Sequence, residues 1–178
     1  MNNKALLIID MQNESFSPDA NVYDVDGVVQ RINTLSQQFR AAGKPVIIIQ
    51  HDGTLQNEYL PGTEGWKLLP QIETSATDDI FISKTANDSF YQTNLQTVLN
   101  QLYVSELIIT GSATDFCMDS TVQSALTKNY KVTVVKDGHT AGDRPHLKAQ
   151  QVVNHYNFVW SNLTPTNISI KSASEISS

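Results

Sequence analysis

Lys4-Ala5-Leu6-Leu7-Ile8-Ile9-Asp10 is an unbroken apolar run with a lysine before it and a carboxylate after it. Its residues do not alternate between polar and apolar, so it predicts a strand buried on both faces, as in parallel sheets covered by helices on each side. Similar short, β-branched runs return at residues 46–49, 80–82, 104–109 and 132–135. Between them the apolar residues take helical spacing. Val28, Ile32, Leu35 and Phe39 stand at i, i+4, i+7 and i+11. Leu95, Val98, Leu99 and Leu102 form a second stripe, Val122, Ala125 and Leu126 a third, and Ala149, Val152, Val153 and Tyr156 a fourth. Gly43-Lys44-Pro45 closes the first helix and opens the next strand. Strand alternating with helix predicts an α/β fold, a Rossmann-like three-layer α/β/α sandwich with a mostly parallel sheet. Val159-Trp160 reads as a short sixth strand.

The chain has 178 residues, the size of one domain, and 1–178 is read as such. Apolar residues make up 40% and charged residues 17%, enough apolar material for a core. Acidic residues outnumber basic ones 18 to 12, a net charge of −6 that argues against nucleic acid or an anionic membrane as the main partner. The first apolar run is too short for a signal-peptide core or a membrane span. With no export signal, the Asn-x-Ser/Thr triplets at Asn13, Asn87, Asn162 and Asn167 are read as chance, and a cytoplasmic protein is expected. The stretch 52–79 carries Gly53, Pro61, Gly62, Gly65 and Pro70. It is too long for a plain connection and is read as a functional loop, either a lid or an interface. The Ser- and Asn-rich tail 161–178 is expected to pack loosely or to reach a neighbouring subunit.

Ligands of parallel α/β sheets sit outside the carboxyl ends of the strands, so the residues just after each strand carry the chemistry. The first run ends in Asp10, the second leads into Gln50-His51-Asp52, the third into Ser83-Lys84. The fourth leads into Gly111-Ser112-Ala113-Thr114-Asp115-Phe116-Cys117, and the fifth into Lys136-Asp137-Gly138-His139. One rim thus collects an acid, a lysine and Cys117, the only cysteine and therefore never half of an internal disulfide. Taken singly, Asp10 reads equally as a helix cap, Lys84 as a surface charge and Cys117 as a small buried hydrophobe. Together they make a base, a cation and a nucleophile. Cys117 falls where the next helix should begin, with Thr114 or Asp115 as its cap. A helix N-terminus and a nearby ammonium both lower a thiol pKa, so a reactive thiolate is expected.

These residues resemble the isochorismatase-like cysteine hydrolases. Asp10-Met11-Gln12 with Phe16 is similar to that family's opening Asp-x-Gln motif. Lys84 followed by Asp88-Ser89-Phe90, Thr93 and Leu95 is similar to its lysine segment, and residues 62–70 to the loop before it. Residues 111–117 resemble its nucleophile loop, Gly-x-x-Thr-Asp-x-Cys, the most specific of these matches. The matches keep the family's order over about residues 4–160, leaving 161–178 as a tail. The resemblance implies a six-stranded isochorismatase-like fold and an Asp10, Lys84, Cys117 triad that opens a small C–N amide or ureido bond through an acyl-enzyme. It implies an oxyanion hole from the backbone amides of Ala113 and Cys117, and a non-proline cis peptide between Ser112 and Ala113. It offers Phe16, Trp66, Phe90 and Phe116 as pocket residues, each of which reads equally as core, and His51, by its place at the end of the second strand, is a fifth candidate that reads equally as holding the loop. It also implies a homo-oligomer with a small-molecule substrate.

No cofactor is called for. Metal-dependent nicotinamidases of this superfamily cluster an acid and histidines after the second strand. Here only His51 and Asp52 stand there, with the next histidine at His139, so no metal is expected. Two other functions stay open. One is an isochorismatase-type vinyl-ether hydrolase that does not need Cys117. The other is a non-catalytic member that binds a small molecule or partner, or senses oxidation through its thiol.

Overall fold

The computed structural model describes residues 3–164 and 167–178; Met1-Asn2 and, within the tail, Pro165-Thr166 lie outside them. Among the described residues six strands form one sheet: β1 (Asn3–Ile9), β2 (Val46–His51), β3 (Asp79–Lys84), β4 (Val104–Ser112), β5 (Lys131–Thr140) and β6 (Ile168–Lys171). Their order is β3-β2-β1-β4-β5-β6, and every pairing is parallel. The helices are α1 (Val25–Ala41), α2 (Leu95–Gln101), α3 (Asp119–Thr127) and α4 (Ala149–Ser161).

The opening run explains the layering. Residues 5–9 of β1 are fully buried, and alternate side chains leave by opposite faces. Leu6 and Ile8 join Val28, Ile32, Leu35 and Phe39 of α1 in one core. Ala5, Leu7 and Ile9 join the other, with Leu95 and Leu99 of α2, Val122 and Ala125 of α3 and Trp160 of α4. Each of the valine, leucine and isoleucine side chains among them contributes about 1.5–3 kcal/mol by leaving water.

Val159-Trp160 is not a strand. It ends α4, because Trp160 continues the stripe of Val152, Val153 and Tyr156 at i+4. The sixth strand lies in the polar tail instead. There Ile168 and Ile170 pack on the second core, while Ser169 bonds Thr133 of β5 at 2.9 Å. Ala173 and Ile176 then cross to the α1 layer, and the backbone N–H of Ala173 donates to Asp137 Oδ1 at 2.8 Å. A half-polar edge strand shows only on one face, so its apolar content is low although the tail is packed.

Strand β5 also runs further than its apolar core. Its pairing with β4 slips between Ile109 and Gly111, so that Gly111 faces His139, and the strand continues to Thr140. His139 is consequently buried within the sheet rather than exposed on the rim. The long loop between β2 and β3 is tied down in its second half. Asn13 donates to the Lys67 carbonyl and Leu69 to that of Met11, both at 2.8 Å, and Leu69 and Ile72 are buried against the α1 layer. Among the described residues, no helix is long and apolar enough to cross a membrane.

Candidate active site

The strand order reverses between β1 and β4, where open α/β sheets leave a crevice at their carboxyl ends. Asp10 follows β1 directly. Its N–H is still bonded to Ile49 at 2.9 Å, but its φ of 49° is left-handed and turns the chain off the sheet. Asp tolerates that conformation better than most residues, and strained backbone tends to collect at functional sites. Beside it Gly111 takes φ 128°, where a Cβ would stand 2.1 Å from the Ile9 carbonyl oxygen. Only glycine allows β4 to end this close to β1. The Ser112–Ala113 peptide that follows is cis.

Lys84 is the last residue of β3, in register with His51 of β2. From there its side chain reaches past β2 to Asp10 and the nucleophile loop. Lys84 Nζ lies 2.6 Å from Asp10 Oδ2, 3.2 Å from Cys117 Sγ, 3.0 Å from the Ala86 carbonyl oxygen and 3.4 Å from His51 Nδ1. The ion pair is almost completely dry, with Lys84 1% and Asp10 4% exposed. Asp10 Oδ1 has no hydrogen-bond donor among the described residues, and the Cys117 thiol faces Asn87 Oδ1 at 3.7 Å.

Burial opposes the charge on Lys84, yet Asp10 and Cys117 outweigh it and hold the ammonium pKa above its usual value. Cys117 departs from expectation. Burial and the Asp10 carboxylate push its thiol up to about 12, against the opposing pull of Lys84. At neutral pH the site therefore holds a protonated thiol beside the Lys84 ammonium and its Asp10 partner. His51 is held below its ordinary pKa by burial and then by Lys84, which keeps it neutral at pH 7.

The cap expected at Cys117 is absent. Residues Thr114–Met118 form one turn of π-helix ahead of α3, with no side-chain cap. Thr114 and Asp115 face elsewhere because better partners exist. Thr114 Oγ1 bonds His139 Nδ1 at 2.8 Å, and His139 Nε2 meets Asn157 Oδ1 of α4 at 3.1 Å. Asn157 Nδ2 donates to the Lys136 carbonyl at 2.9 Å, which leaves its oxygen for His139. His139 thus donates through Nε2 and accepts the Thr114 hydroxyl at Nδ1, a tautomer assigned from the network. Asp115 takes both hands of Arg144 at 2.8 and 2.7 Å, and Arg144 lies over the Phe116 ring.

A cavity of about 250 Å³ opens on this centre, lined by Asp10, His51, Ala113, Phe116 and Cys117 together with Ser15, Glu58, Tyr59 and Asn87. Of the five residues offered for the pocket, His51 and Phe116 line it. Phe90 does not: it is a core residue, stacked on Tyr130 at 5.9 Å, because the bond of Ser89 to Thr121 of α3 turns it inward. Phe16 packs against the α1 layer. Trp66 contributes its backbone, whose carbonyl accepts from Gln12 at 2.9 Å and Gln50 at 3.1 Å. Gln12 also exchanges bonds with the backbone of His51, so the glutamine of the Asp-x-Gln motif clips the loop to β2. Glu58 and Tyr59 were unmarked in the sequence, since an irregular loop has no period to read. Asn87, three residues past Lys84, stands out in the sequence only as the first residue of an Asn-x-Ser triplet. Among the described residues, no group of three or more His, Cys, Asp or Glu side chains could hold a metal.

The isochorismatase domain family matches residues 4–160. A streptothricin hydrolase of Streptomyces noursei is 32% identical over 142 residues, 80% of this chain and 56% of that protein. The match spans 51% of a second streptothricin hydrolase, so the chain covers about half the length of both relatives. The ureidoacrylate amidohydrolase RutB of Caulobacter vibrioides is 28% identical over 78% of this chain and 77% of its own. The crystal structure of an isochorismatase family protein superposes with a TM-score of 0.88 at 32% identity, covering 97% of this chain and 99% of that one.

Proposed function

The chain belongs to the isochorismatase family, and from that premise we propose that it is a cysteine-dependent amidohydrolase acting on a small C–N amide or ureido bond. The observation that carries this reading is Lys84 Nζ, 2.6 Å from Asp10 and 3.2 Å from Cys117, two residues that line the cavity of about 250 Å³. Because the thiol rests protonated, attack needs a base, and the unengaged Oδ1 of Asp10 suits that role. Asp10 takes the proton as Cys117 Sγ adds to the carbonyl carbon. Lys84, in contact with both groups, balances the negative charge as it passes from the carboxylate to sulfur. Backbone amides of Ala113 and Cys117 hold the oxyanion. The protonated Asp10 then gives its proton to the departing nitrogen, ammonia or an amine leaves, and an acyl-thioester remains. In the second half Asp10 takes a proton from water, whose oxygen adds to the thioester. The tetrahedral intermediate collapses to release the acid, and the proton returns to sulfur.

The named relatives support an amide-type substrate: one is a streptothricin hydrolase and one a ureidoacrylate amidohydrolase. The test is ammonia release from a panel of small amides and ureido acids. Cys117→Ala should lower turnover at least about a thousandfold while its circular dichroism and melting stay those of the parent. A Cys117→Ala protein that turns over at the parent rate would end this reading.

A further inference from the structure

The catalytic cavity is not electrically neutral, and the imbalance has one sign. A second cavity, of about 370 Å³, adjoins it and shares Ser15, Tyr59, Ala113 and Phe116. The charged side chains on the walls of the two are Asp10, Glu58, Asp143 and Arg144. Three are already matched. Asp10 is paired with Lys84, Arg144 is held in two bonds by Asp115, and Asp143 meets Lys148 at 2.7 Å. Glu58, an exposed residue on the wall of the first cavity, has no side-chain hydrogen bond or ion pair among the described residues. His51, the remaining basic group on these walls, is held neutral by burial and Lys84. Asp10 Oδ1, buried behind the cavity wall, lacks a hydrogen-bond donor among the described residues.

A substrate carboxylate entering this space meets no uncommitted cation among the described residues. An ammonium, amidinium or guanidinium meets Glu58. We infer that the amide cleaved belongs to a molecule with a cationic group on its non-reacting limb, and that Glu58 selects it. The inference rests on the amidohydrolase reading for the word amide, but the charge preference is a property of the cavity alone. Opposite charges a few ångströms apart in a partly hydrated site shift an equilibrium by about fivefold, and salt weakens the effect.

Cys117 is the only cysteine, so a thiol reagent reads the cavity's potential without turnover. The probes are the cationic 2-trimethylammonioethyl and the anionic 2-sulfonatoethyl methanethiosulfonates. Their rate ratio on the protein is divided by the ratio on 2-mercaptoethanol. The cationic reagent should be favoured by about fivefold or more at low salt, with the preference shrinking at about 0.5 M salt and falling towards one in Glu58→Gln. A normalised ratio of one or below, a ratio unmoved by Glu58→Gln, or failure of both reagents to reach Cys117 overturns the inference. In parallel, ammonia release from 4-aminobutanamide, pentanamide and glutaramate compares a cationic, a neutral and an anionic limb of matched length. If none is cleaved while the reagent ratio holds, the amidohydrolase reading fails and the charge preference stands. If the amides are cleaved with the ratio at one, the reverse is true.

Discussion

Cys117 keeps its proton at neutral pH because burial and the Asp10 carboxylate oppose a thiolate more strongly than the Lys84 ammonium favours one. Sequence reasoning gives the opposite sign, since a helix start and a lysine are the features it can see. The difference decides the chemistry: a pre-formed thiolate needs no base, whereas a protonated thiol does. Alkylation by iodoacetamide should therefore be slow at pH 7 and rise about tenfold per pH unit through pH 10 without levelling off. Asp10→Asn removes the charge that disfavours the thiolate and leaves Lys84 beside the sulfur. That variant should alkylate several times faster at pH 8 while losing amide turnover. Alkylation as slow as the parent's would mean that Asp10 does not set the thiol's protonation.

The π-turn of residues 114–118, β5 and α4 are joined at one buried imidazole. His139 bonds Thr114 beside the nucleophile and Asn157 on the helix, and its ring packs on Trp160 at 5.1 Å. Burial lowers its pKa to about 4. In the unfolded chain it titrates near 6.5, so the unfolded state gains a proton first as the pH falls. Stability from this group is complete above about pH 6.5 and is lost progressively towards pH 4, by at most about 3 kcal/mol. His139→Gln keeps hydrogen bonding without the titration. Urea unfolding at pH 7 and pH 4.5 should show a smaller acid loss in His139→Gln than in the parent. Equal losses would place the acid sensitivity elsewhere.

Across the whole molecule, the tail closes both layers. Ile168 and Ile170 pack on one core and Ala173 and Ile176 on the other, while Lys4 Nζ donates to the Ser177 carbonyl at 2.6 Å. Removing residues 162–178 should lower the unfolding free energy by about 3 kcal/mol or more, from the apolar surface returned to water. It would also leave β5 as an open, apolar edge prone to association. Urea melts and light scattering measure both, and a truncated protein as stable and monodisperse as the full chain would show the tail to be dispensable.

By itself the sequence determined the alternation of strand and helix, the parallel sheet and the rim where Asp10, Lys84 and Cys117 stand. These follow from local properties: an apolar run with no alternation, a helical stripe, and the position of a residue just past a strand. The same local signals misread Val159-Trp160, whose branched and aromatic side chains belong to a helical stripe, and passed over Ile168–Lys171, a half-polar edge strand. Only the tertiary structure decided which groups share the cavity. Phe90 turns inward while Glu58, Tyr59 and Asn87 arrive from irregular segments with no period. It also decided the charge of the site. Protonation at Cys117 and the imbalance at Glu58 depend on burial and on through-space neighbours far apart in the chain, which residue order does not encode locally.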